Sequence, residues 1–355
     1  MSESSNIVVE TARRILQDHC TAAVINKAET GEWPVALWDT LEEAGLAVTW
    51  VPEDLGGAGA EIGDGFGVLR KAGEFAAPVP LAETLMAGFL LAQGGLPVPA
   101  GPLTLAPVHA ADRLTLDSAG RLRGMARGVP FGRVAQHLAV LTERDGENCI
   151  ALVAATGCEM KHGNSLAGEP QDHVVFDGAT VLEVAPVPGF DHAALMTLGA
   201  AVRCAQMAGA LERILNQSLQ YAQERVQFGR PISNFQVIQH NLAQLAAETA
   251  AASAAASAAE EALAATGLQS TASLAEVAAA KVRVGEAAGI GSAFAHQAHG
   301  AMGFTYEHSL HHATRRLWAW RDEFGNESYW AMLLGNIAAK HGAEGLWPFV
   351  TGTAT

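Results

Sequence analysis

The chain has 355 residues, 49% hydrophobic and 17% charged, with a formal net charge of −15. Such a composition suits about two to three folded domains and excludes a disordered chain. The acidic excess argues against a nucleic-acid-binding surface, which needs clustered Lys and Arg, and disfavours binding to an anionic membrane.

Residues 1–100 read as an N-terminal helical domain. The start, MSESSNIVVETARRILQ, is polar and then amphipathic, without the basic and apolar regions of a signal peptide. SNIVVETARRILQDH, WPVALWDTLEEAGLA, AEIGDGFGVLRKAGEFAA and PLAETLMAGFLLAQGG carry apolar residues at helical spacing. VPEDLGGAGAEIG is a breaker-rich loop. No run reaches the roughly 18 apolar residues that cross a bilayer. Cys20, Cys149, Cys158 and Cys204 form no CxxC and no disulfide framework, so reduced, mostly buried thiols in a cytoplasmic protein are expected.

Residues 101–190 read as a middle antiparallel β domain. Short apolar runs such as LTLAPVHA, HLAVLTE, CIALVAA and DHVVFDGATVLEVAPVPG alternate with turn residues, and DSAG, RDGEN and DGA are expected as hairpin turns. Residues 191–355 read as four long helices, the last spanning EHSLHHATRRLWAWRDEFGNESYWAMLLGNIAAKHG. Their Ala content favours helix, and short connections make a four-helix bundle. The fold class is therefore α+β, mainly α.

Three motifs carry more than fold. ERVQFGRPISNFQ (224–236) places Arg225, Phe228 and Gln236 ahead of an Ala-rich helix; HQAHGAMGFTYE (296–307) holds Gln297 and Gly300; VPEDLGGAG (51–59) lies in the first zone. Read plainly, the first motif is a helix end, a turn and a core phenylalanine. Their order and separation together resemble the acyl-CoA dehydrogenase family, most weakly in the β zone. The resemblance implies a helical domain, a β-barrel-like domain and a helical bundle. It implies α,β-desaturation of an acyl-CoA with FAD as cofactor and electron-transfer flavoprotein as acceptor. It also implies that Arg225, Phe228, Gln236, Gln297 and Gly300 contact the pyrophosphate and adenosine of an FAD held by a neighbouring subunit. An arginine fork suits pyrophosphate, and glycine permits close backbone approach.

The sequence departs from the family where the base belongs. Aligned without gaps, Phe324 occupies the usual glutamate slot, Gly325 keeps the glycine and Asn326 replaces a threonine. A one-residue gap would bring Glu323 to the slot, although one helical step turns a side chain by about 100°. For the family's alternative base position, Ala252 aligns and Glu248 lies one turn earlier. In the β zone, LTERDGENC keeps only the Thr-Glu of the family's flavin-holding loop. The expectation is a subunit that supplies no base and works in an α2β2 heterotetramer with a homologous partner, on a bulky acyl-CoA such as a steroid thioester. The alternatives are a self-sufficient homotetramer using Glu323 or Glu248, and a flavin-free structural or regulatory relative. Late histidines (His296, His299, His308, His311, His312) lack the Glu-x-x-His pairs of di-iron bundles, so no metal site is expected. Ser165 has no nucleophile-elbow spacing, and no Rossmann or P-loop glycine pattern follows a strand.

Overall fold

The computed structural model describes residues 3–351. Five helices open the chain: α1 (Glu3–His19), α2 (Ala22–Glu29), α3 (Val35–Glu43), α4 (Ile62–Glu74) and α5 (Leu81–Gln93). Helix α5 is apolar nearly all round, as its LAETLMAGFLL stretch dictates, and is buried between the barrel and the bundle.

Seven strands follow: β1 (Leu103–Ala106), β2 (Leu114–Leu116), β3 (Arg121–Pro130), β4 (His137–Arg144), β5 (Glu147–Ala154), β6 (Glu159–Lys161) and β7 (Gln171–Pro186). The ladder β4–β2–β3–β7–β5 returns to β4, closing a five-stranded barrel, with β1 added beside β4 and β6 beside β7. Closure removes the exposed edges that an open sheet of this size would present. Two expectations need correction. The domain is not wholly antiparallel: β1 and β2 both pair β4 in parallel. Nor is Asp177-Gly178-Ala179 a hairpin turn, because β7 runs straight through it. Gly178, at φ +71°, is the extra residue of a bulge, since Leu122 faces Ala179 while Arg123 faces Asp177.

The C-terminal layer contains α6 (His192–Glu224), a small hairpin of β8 (Val226–Gln227) and β9 (Arg230–Pro231), then α7 (Gln236–Thr266), α8 (Thr271–His299), α9 (Leu310–Asp322) and α10 (Glu327–Val350). Helices α6, α7 and α8 run up, down and up in mutual contact. Small residues set the spacing of α6 against α4: a Cβ on Gly73 of α4 would lie 2.0 Å from the Gln206 carbonyl oxygen, and one on Gly209 would lie 1.9 Å from that of Arg70. The expected fourth helix is two. It breaks at Glu323–Asn326 because Phe324 and Gly325 take φ of +52° and +91°, and the Asn326 side chain caps α10 by accepting from the Tyr329 amide. The bilayer expectation also needs correction: α6 has the length and hydropathy of a membrane span, yet its most apolar window is entirely buried inside the protein. One continuous apolar core joins all three layers.

Candidate functional site

The α9–α10 turn faces the barrel across a cavity of about 360 Å³. His109, Arg127 and Gln171 line it from the barrel side; Glu323, Asn326 and Tyr329 line it from the bundle side. Glu323 and Phe324 are not on a helix, so the argument from helical rotation does not apply to them. Glu323 is extended (φ −72°, ψ 141°) and reaches back to the cavity floor, whereas Phe324 turns inward and is buried. The Phe324 ring rests on Gly199 of α6, where an added Cβ would come within 2.1 Å of the ring.

Glu323 does not stand free. Arg203 of α6 donates from Nε to its Oε2 at 2.7 Å, and Gln171 donates to its Oε1 at 3.3 Å. The same guanidinium pairs with Glu83 of α5 at 2.6 Å and with the Gln206 side chain at 2.5 Å. A second pair, Arg316 with Glu169 at 2.8 Å, lies in the same buried region. Burial pushes the Glu323 carboxyl up to about 7, Arg203 pulls it down, and Glu83 and Glu169 push it up again. Burial raises Glu169 too. The carboxyls of Glu323, Glu83 and Glu169 and the guanidinia of Arg203 and Arg316 form one coupled cluster.

Lys281 of α8 holds the turn in place. Its buried ammonium donates to the carbonyls of Trp320, Arg321 and Gly325 at 3.1, 2.7 and 2.9 Å, satisfying the orphan acceptors at the end of α9. Arg203, Glu83, Gln171 and Lys281 were not singled out from the sequence. A signal was present for two of them: Glu83 and Arg203 are charges within otherwise apolar helical stretches.

The second ensemble lies at the opposite end of α6. Arg225, Phe228, Gln236, Gln297 and Gly300 are all exposed where α6 ends, α7 begins and α8 ends. Phe228 is not core: it is 93% exposed at the tip of the β8–β9 hairpin, with φ +52°, followed by Gly229 at φ +79°. Positive φ at both central residues is the geometry of a two-residue hairpin turn, but an aromatic rarely accepts it. Among the described residues, no acceptor meets the Arg225 guanidinium. Val226, Val237, Phe304 and Tyr306 are exposed at the same end. Beneath them Tyr221 stacks on His299 at 4.4 Å, and a groove of about 280 Å³ runs past Gln220, Tyr221 and His308.

Glu248 joins neither ensemble. It sits on α7 and pairs with Arg283 of α8 at 2.5 Å. Ala252 is buried on the same helix. LTERDGENC is the β4–β5 hairpin: Thr142 is buried and donates to the Leu114 carbonyl, and none of the segment lines the cavity. A further cleft of about 710 Å³ lies between α2–α3 and the barrel and contains none of the predicted residues. Among the described residues no three His, Cys, Asp or Glu side chains converge on a metal position.

The residues therefore fit half of an FAD site at the bundle end: an unengaged guanidinium, two exposed amides, two positive-φ glycines and an aromatic platform. They do not fit a complete site within one chain. Arg203 and Arg225 are 22 residues apart on α6. That is about 33 Å of helix, so the bundle-end groups cannot serve the cavity of their own chain at close range.

The descriptions "Acyl-CoA dehydrogenase, N-terminal domain" and "Acyl-CoA dehydrogenase, C-terminal domain" match residues 2–95 and 192–330, leaving the barrel unmatched. Acyl-CoA dehydrogenase IpdE2 of Mycolicibacterium smegmatis is 27% identical over 315 residues, spanning 87% of this chain and 91% of the relative. A chain of the Tcur3481-Tcur3483 steroid ACAD superimposes with a TM-score of 0.85 at 25% identity, covering 96% of this chain and 99% of that one. The ChsE4-ChsE5 complex from Mycobacterium tuberculosis gives 0.82 at 25% identity, with 96% and 98% covered. The chain belongs to the acyl-CoA dehydrogenase family, oxidoreductases that act on CH–CH bonds.

Proposed function

We propose that this chain is the subunit of an α2β2, FAD-dependent acyl-CoA dehydrogenase that supplies cofactor contacts to its neighbour and no base of its own. The observation that carries the reading is the division of the molecule. Glu323, the carboxyl beside the base slot, is held by Arg203 in a buried cluster. The groups matched to FAD binding stand exposed at the far end of α6. In this reading Arg225 pairs with the pyrophosphate, Phe228 packs on the cofactor, and Gln236 and Gln297 meet the adenosine end. Gly300, at φ +60°, lets the backbone approach. FAD supplies the hydride-accepting chemistry when bound, and the base comes from the partner. Likeness to a steroid ACAD makes a steroid-derived or similarly bulky acyl-CoA the substrate class, with electron-transfer flavoprotein as the final acceptor.

The strain at Phe228 supports the reading. A non-glycine residue in the left-handed region costs on the order of 1–3 kcal/mol, and the exposed ring recovers only part of that from its edge-on contact with Phe235 at 6.1 Å. A partner's surface restores it.

A self-sufficient homotetramer is the second reading, favoured by one observation: Glu323 lines the cavity with its carboxyl pushed up to about 7, where a general base works well. Glu248, tied to Arg283 away from the cavity, gains no such support.

The deciding experiment is the absorption spectrum of the chain purified alone and after co-expression with a homologous dehydrogenase subunit. A colourless chain that turns yellow only with its partner is expected. Flavin absorption in the lone protein supports the homotetramer, and no flavin in either sample supports a flavin-free relative.

A further inference from the structure

Building on the shared-site reading, we infer that Arg203 closes this chain's own cavity to acyl chains and so confines the substrate to the partner subunit. The cavity ends at Glu323 and Phe324. Behind them, the space between α5, α6 and α9 is filled by the Arg203 guanidinium, which is 2% exposed and lies 5.9 and 5.6 Å from the Trp320 and Phe324 ring centres.

The local sequence shows how unusual this wall is. Leu81–Leu91 of α5 contains one charge, Glu83, and Ala193–Leu211 of α6 contains one, Arg203. The remaining residues of both stretches are almost all apolar or small, the surface that an acyl tail would slide along. The two helices instead set their single charges against each other at 2.6 Å. Glu323 makes the arrangement a triad at 2.6 Å, and Gln206 takes the remaining nitrogen.

Every nitrogen of the guanidinium has an acceptor. An entering acyl tail would have to move it off two carboxylates and leave the guanidinium and Glu83 buried without their charged partners. Burying a few methylenes does not compensate for that desolvation. Nor can the wall swing aside as one rotamer, because its members are anchored on α5, α6 and the α9–α10 turn, and Lys281 fixes that turn from behind.

The test uses the assembled protein as isolated and a long-chain acyl-CoA bearing a photoreactive diazirine at the tail end, with peptide mapping after photolysis. In the wild type, label is expected on the partner and not on the segments bearing Glu83, Arg203 and Glu323. The variant Glu83→Gln/Arg203→Ala/Glu323→Gln removes both signs of charge together and opens the wall, and it is expected to gain label on those segments. Label there in the wild type overturns the inference, as does a variant with native circular dichroism that gains none. Should the variant not assemble, the wild-type map decides. Failure of the shared-site reading has a different signature: the chain is yellow alone and Glu323→Gln abolishes turnover, whichever segments carry label.

Discussion

At Glu323 burial and an ion pair act in opposite directions, and their balance fixes how the residue behaves. Its carboxyl sits near 7, above the ordinary 4.5. A raised carboxyl contributes stability below its unfolded value and loses that contribution as pH rises through about 7. Substituting Glu323→Gln, which keeps the shape and removes the titration, is therefore expected to flatten the urea-unfolding profile between pH 4.5 and about 7. In the assembled enzyme the same change is expected to leave kcat within about threefold, whereas loss of a general base lowers it by about 10²–10⁴. At the other end of α6, Arg225→Ala and Phe228→Ala remove exposed side chains. Thermal unfolding of the chain should shift by no more than about 0.5 kcal/mol, while flavin retained by the complex falls sharply in gel filtration. The bundle-end residues were legible in the sequence because the motif is local. The Arg203 cluster was not, because the partners of a buried charge are set by packing between residues up to 120 positions apart.

Among the elements, the α9–α10 turn shows what a sequence does and does not announce. Helical periodicity runs through TRRLWAWRDEFGNESYW without a proline, so it reads as continuous. The break depends on Gly325 reaching φ +91° and on Lys281, 44 residues upstream, collecting the carbonyls that the break leaves open. Lys281→Met keeps the stem and deletes the ammonium. It is expected to lower stability by about 2 kcal/mol in urea unfolding, the balance between three orphaned acceptors and the relief of a buried charge. In β7 the same lesson has the opposite sign: Asp-Gly-Ala has turn chemistry, and a bulge at Gly178, opposite β3, absorbs it without turning the chain.

Viewed whole, the order of helical domain, barrel and bundle was legible because apolar periods differ between helix and strand, and no single residue decides them. The barrel's parallel pairings were hidden, since strand neighbours are chosen by closure. Acid sensitivity is also a property of the whole molecule. Burial holds His299 near 4 and His312 near 3, below the ordinary 6.5. A depressed histidine contributes stability above its unfolded value and loses it as pH falls through the folded one. Between pH 6.5 and about 4 these histidines weaken the fold while the buried carboxyls strengthen it. His312→Gln, whose amide can still meet Asn26, is expected to resist acid unfolding better than the wild type by near-UV circular dichroism.

The long apolar α6 also has a consequence in time. It leaves the ribosome 75 residues before α8 is complete, when only the preceding domains are available to cover it. At about 5–20 residues per second, that interval lasts roughly 4–15 s. During it a segment with the hydropathy of a membrane anchor has one face against α4 and the rest exposed to the cytosolic holding and targeting factors that bind such segments. Nascent chains arrested near residue 270 are expected to cross-link to those factors and be cut by protease within α6, and chains arrested beyond residue 340 to do neither. Synthesis at low temperature, which lengthens the interval, should lower the yield of assembled protein more than it lowers the yield of total chain.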